Sequence, residues 1–136
     1  MTGLVFKAQE AVYAALAGDA GVQASLGSPP RLYDHVPEDA SFPYIAFGVA
    51  HIAPDDSKMG SAFEHTLTLD IFSRYRGAKE AKEILQAVYA ALHRAGLVAV
   101  GASFPLCVFH SAEIAPLDDG LTTHIAARFT VLEESA

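Results

Sequence analysis

Histidine ligates metals and moves protons near neutral pH, so the six histidines of this 136-residue chain come first: His35, His51, His65, His93, His110 and His124. None is spaced as H-x-x-x-H or H-E-x-x-H, the patterns that put two imidazoles on one helix face to grip zinc. His65 falls on the apolar side of an alternating run, near its end. It and His110 are expected to be partly buried and hydrogen-bonded. His93 closes a helical run, where a cation meets the negative end of the helix dipole, and a surface role suits it. A small metal-dependent enzyme built on His65, His124 and nearby acids is the catalytic alternative these residues leave open. Cys107 is the only cysteine, which excludes an internal disulfide and fits a reducing compartment. It lies among apolar residues in a strand-like run, the setting of an inert thiol. The sequence contains no G-x-S-x-G elbow, no G-x-x-x-x-G-K-[ST] loop and no G-x-G-x-x-G loop, so no nucleophile or nucleotide motif is present. No cofactor is expected. Asp55, Asp56 and Ser57, with Asp70 nearby, could be imagined as a cation site. They lack the alternating acids, glycine and closing glutamate of a calcium loop, and a solvated loop suits them better.

Charge narrows the partners. The chain carries 16 acids against 9 bases, a net charge of −7, whereas binding nucleic acid through its phosphates needs a surplus of Lys and Arg. Arg74, Arg76, Lys79 and Lys82 form the one locally basic stretch. It suits either an acidic partner or a solvated helix start. No run approaches the roughly 18 apolar residues of a membrane span. Lys7 and Glu10 interrupt the Ala-rich N-terminus, so a first helix of a cytosolic protein is expected there rather than a signal peptide.

The elements that must position these residues follow from periodicity. Leu4, Val5, Ala8, Val12, Ala15 and Leu16 predict a helix over residues 3–17, with a short turn over Gly21–Leu26. Arg31–Val36 reads as a short strand, with Tyr33 and His35 on one side. A second strand starts near Pro43, with Ile45, Phe47 and Val49 sharing a face, and ends in the polar Pro54–Gly60 loop. The clearest alternation spans Phe63–Ser73. Gly77 opens a helix to about Arg94, with Gly96 as its stop. Two more strands follow: Phe104, Leu106, Val108 and His110 alternate with Cys107 and Phe109, and Leu121 to Val131 supply an inner face beyond the Asp118-Asp119-Gly120 turn. The order α-β-β-β-α-β-β predicts one α+β domain over residues 1–136. It should hold a mostly antiparallel sheet of about five strands, with two main helices packed on one face.

Three stretches carry a family resemblance: RLYDHVPEDASFPYIAFG (Arg31–Gly48), DDSKMGSAFEHTLTLDIFSRYRG (Asp55–Gly77) and EAKEILQAVYAALH (Glu80–His93). Together they resemble the tail completion, or tail terminator, proteins of long-tailed phages and of the gene transfer agents of alphaproteobacteria. The resemblance implies a virion structural protein rather than an enzyme. It implies a ring, usually a hexamer, that caps the tube of major tail protein and offers a docking surface to the head connector or stopper protein. The ring belongs to the assembled particle, at the head-proximal end of the tail, and is built in the bacterial host cytoplasm. DNA passes through it without specific binding, and no membrane is involved. A head–tail adaptor or stopper of the neck is the alternative within the same particle. On this reading the partner contacts come from edge strands and the loop residues Asp55, Asp56, Ser57, Lys58 and Met59, with Tyr33 and His35 as further candidates. Arg74, Arg76 and Lys79 are expected to face partner protein, leaving acids to line the channel.

Overall fold

A computed structural model of the chain describes residues 4–54, 63–99 and 101–133. Helix α1 (Leu4–Ala17) buries Ala8, Ala11, Val12 and Leu16, a stripe at helical spacing. Helix α2 (Ala20–Leu26) begins where the Asp19 carboxylate accepts the Val22 N–H at 3.0 Å, an N-cap, and buries Val22 and Leu26. Helix α3 (Lys79–Leu92) buries Ala81, Ile84, Val88 and Leu92. The strands are β1 (Leu32–Tyr33), β2 (Tyr44–Pro54), β3 (Phe63–Ser73), β4 (Ala95–Ala99), β5 (Ala102–Pro116) and β6 (Thr123–Leu132). They form a six-stranded sheet in the order β1-β2-β3-β6-β5-β4. Neighbours are antiparallel except β1, which is parallel to β2.

Helices α1 and α3 pack on one face of the sheet, and α2 packs on α3. Leu69, Ile71, Phe104, Ile125, Phe129 and Val131 meet Leu16, Ile84, Val88 and Leu92 in a single core. Register carries rows of residues straight across the long strands. The first row is Ile45–Ile71–Ile125–Ile114 and the second is Phe47–Leu69–Ala127–Ala112. The third is Ala50–Leu67–Phe129–Phe109 and the fourth is Ile52–His65–Val131–Cys107.

The α+β class and the helices on one face agree with the sequence reading, and several details are corrected. Among the described residues the sheet has six strands rather than about five, and the short turn read over Gly21–Leu26 is a third helix beside the two main ones. The missed strand is β4, which contains Gly96. The α3 helix stops at Leu92 because the next residues are drawn onto β5: His93 Nδ1 accepts the Phe109 N–H at 3.1 Å, and the Arg94 N–H donates to the Cys107 carbonyl at 2.6 Å. Arg94 takes a left-handed φ of 64° to make that corner. His93 therefore caps the edge of β5 rather than standing free at the surface. β1 spans only Leu32–Tyr33, so Asp34, His35 and Val36 lie beyond it.

Side-chain faces shift where the register slips. A bulge between Phe47 and Ala50 turns Val49 away from the core, leaving it 78% exposed. A slip opposite Ala95–Leu97 places Phe104 and Cys107 together in the core, where simple alternation separates them. His110 sits at a third slip and is exposed, its Nδ1 2.8 Å from Ser111 Oγ. Leu121 precedes β6 and is exposed rather than on the inner face.

Candidate docking surface

One end of the sheet, beyond the first row, is built as a hydrogen-bonded frame. The Asp119 carboxylate caps the β5–β6 turn: Oδ1 accepts the N–H groups of Leu121 (2.8 Å) and Thr122 (2.9 Å), and Oδ2 accepts the Thr122 hydroxyl (2.6 Å). These bonds, the hydroxyl's first, hold its pKa down at about 2, with help from the Arg74 guanidinium 3.8 Å away. Arg74 Nε donates to Thr122 Oγ1 at 3.1 Å, and its guanidinium carbon lies 4.2 Å from the centre of the Phe42 ring. The opposing corner, from β3 into α3, is fixed by Ser73. Its hydroxyl donates to Glu80 Oε1 at 2.7 Å and accepts the Tyr75 N–H at 3.2 Å.

Around this frame the side chains are left open to solvent. Tyr75 is 57% exposed and Leu121 is 64% exposed. With Arg74, Arg76, Pro116 and Thr122 they line a cleft of about 340 Å³. Lys79, the first residue of α3, is exposed at the same end.

The face of the sheet that the helices leave bare carries a band of rings running toward this end. Tyr33 meets Tyr44 (centroids 5.8 Å apart), Phe42 meets Tyr44 (5.0 Å), and Tyr44 meets Phe72 (5.2 Å). Phe72 stacks on His124 at 4.8 Å, and His124 Nε2 lies 2.8 Å from Asp70 Oδ1. Gly48 makes room for that carboxylate, since a Cβ at position 48 runs into Asp70. Arg74 over Phe42 joins the band to the polar end.

The sequence matches the family model described as tail completion protein gp17 over residues 10–134. The chain belongs to this family. It is a structural protein of the tail of a phage-like particle. A chain of a solved structure titled "Virion of native gene transfer agent (GTA) particle" superposes on it with a TM-score of 0.87 at 25% identity, covering 99% of this chain and 100% of that chain. No curated protein sequence matches.

In this tail completion protein the basic candidates gather at one end: Arg74 inside the frame, Arg76 at the cleft and Lys79 on the following helix. Tyr33 joins them through the ring band. His35 is exposed beyond β1, beside Asp34, which accepts from Gln9 Nε2 of α1 at 3.1 Å. Asp55, Asp56, Ser57, Lys58 and Met59 lie outside the described residues. The histidines of the metal alternative do not converge. His65 is on the helix-covered face in the fourth row, and His124 is on the bare face beyond the first. Among the described residues no group of three or more His, Cys, Asp or Glu is arranged to hold a metal.

Sequence reading missed Asp119, Tyr75 and Leu121. Asp119-x-x-Thr122 is a turn-capping spacing, which was the available signal. For the ring band the signal was an aromatic or imidazole at polar-face positions of strands, as at Phe72 and His124.

Proposed function

We propose that this tail completion protein ends the tail tube. Copies of it close into a ring, usually six in such proteins, on the last layer of major tail protein, and their outer surface receives the head connector. The work is done by shape and binding, with no bond-making step. The observation that carries this reading is the hydrogen-bonded end of the sheet, where a rigid frame displays Tyr75, Leu121 and Arg76 to solvent. Tyr and Arg are the residue types that dominate interface energies, and apolar side chains displayed on a fixed frame suit a protein partner. The exposed Arg76 and Lys79 at this end suit an acidic one. With the bases committed to protein contact, the acids are left for the channel. There they repel phosphate and keep a travelling duplex from sticking.

Deleting the gene and imaging the particles tests this. Tails of uncontrolled length beside separate filled heads are expected. Tails of normal length with unjoined or empty heads contradict a tube-ending role and point to the neck adaptor instead.

A further inference from the structure

We propose that adjacent copies in the ring join edge to edge, the β1 side of one copy interlocking with the β4–β5 side of the next. This rests on the ring reading above and adds to it where the copies meet. Each edge of the sheet is stepped, and the rows show where. On one edge β1 covers only the first row, pairing Leu32 with Ile45, whose N–H donates to the Arg31 carbonyl at 3.0 Å. Farther along, at Ala50 and Ile52, no described strand covers β2. On the other edge the pattern reverses. Ala95 covers Cys107 in the fourth row and His93 holds the Phe109 N–H in the third. No described strand covers β5 at Ala112 and Ile114, in the second and first rows.

One edge is therefore filled where the other is open, and the two steps lie at the same height. A copy placed alongside in the same orientation fits its β1 below the neighbour's β4. The polarity is compatible: β1 runs with β2, and three antiparallel ladders separate β2 from β5, so β1 meets the next copy's β5 antiparallel. Matching heights mean no displacement along the strands from copy to copy. A head-to-tail contact without such displacement closes into a ring when its rotation divides a full turn, whereas a displaced one climbs into a filament.

A separate observation points to the same surfaces. Among the described strand residues, the large apolar side chains left exposed are Val49 (78%), Val98 (72%) and Ile114 (43%). They lie on β2, β4 and β5, the strands that make the two edges, and none lies on β3 or β6. The bulge at Val49 and the slip at His110 interrupt long pairing, so a short tab fits where indiscriminate strand addition does not.

The test is cross-linking in assembled particles. Tyr33 is level with Ala46, Asp70, Ala126 and Glu113, so Tyr33 of one copy should face Glu113 of the next. Cys107 is fully buried, and burial pushes its thiol up to about 12, so it can stay in place. Particles carrying Tyr33→Cys with Glu113→Cys should give, on oxidation, a denaturing-gel ladder ending at the closed ring, while either single variant gives monomer. Monomer from the double variant in particles of normal length, or dimer from a single variant, overturns the edge contact while leaving the tube-ending role standing. A ladder from a protein whose deletion leaves tail length unchanged keeps the edge contact and removes that role. If the double variant yields no particles, Ile114→Arg decides. A folded monomer of unchanged melting temperature with assembly lost supports the contact, and normal particles overturn it.

Discussion

The two ends of the sheet treat polar groups in opposite ways. At the fourth row, His65 is buried and neither ring nitrogen has a hydrogen-bond partner; its Nε2 lies 3.9 Å from Glu133 Oε1. That buried carboxylate accepts the Phe63 N–H at 2.8 Å, and the His65 ring stands edge-on to Phe104. Beyond the first row, Asp119 is satisfied three times over in an exposed turn, while Tyr75 and Leu121 remain uncovered. The first end sits inside the fold and leaves a polar ring unpaired. The second uses its hydrogen bonds to stiffen a loop that displays apolar groups. Stiffening an exposed apolar surface does little for folding and suits a surface that another protein covers.

Truncation should separate the two ends most sharply. Phe104→Ala removes a fully buried ring beside His65 and should cost about 3–5 kcal/mol in denaturant unfolding. Leu121→Ala and Arg76→Glu should each stay within about 0.5 kcal/mol of the parent and yet lose particle assembly. A large stability loss at Leu121 would break the distinction between the two ends.

A smaller effect is expected at Gly48. Adding the Cβ in Gly48→Ala displaces the Asp70 carboxylate from His124 and should cost about 1–3 kcal/mol, the usual range for overpacking. Asp70→Ala in the same background should recover part of that loss, read by thermal melting.

Acid should act on the two ends in different windows. Burial lowers the His65 pKa from its ordinary 6.5, so the folded state resists a proton that the unfolded state accepts. Stability should therefore fall as pH drops below about 6.5, and His65→Phe should flatten that part of the melting profile. Asp119 is held down from 3.8 to about 2, so its contribution is present above 3.8 and is lost as pH falls toward 2. Asp119→Asn should remove only that lower window. The most local effect is at the turn: in Asp119→Ala the Leu121 and Thr122 amides should exchange faster with solvent, and global unfolding should lose only the contribution that the ionised carboxylate makes above pH 3.8.

Much of the frame was legible in the residues because the helix and strand periods are local. The Phe63–Ser73 alternation, the α3 stripe, the Asp118-Asp119-Gly120 turn and the burial of Cys107 all appear as read. Bulges were not legible, since a register slip depends on the partner strand, and Val49 changed sides for that reason. β4 was hidden because Gly96 looks like a helix stop until the Arg94–Cys107 bond is known. At the candidate docking surface the basic residues were visible by charge alone. Leu121 was misplaced because an apolar residue before an alternating run looks like its first inner position, whereas the Asp119 cap keeps it outside the strand.

The most direct measurement is a cryo-electron microscopy reconstruction of the head–tail junction in the intact particle. A single ring of this chain is expected as the last layer of the tube, with Tyr75, Arg76 and Leu121 covered by the adjoining protein. Finding the chain missing from that layer, or its hydrogen-bonded end bare to solvent, contradicts the account.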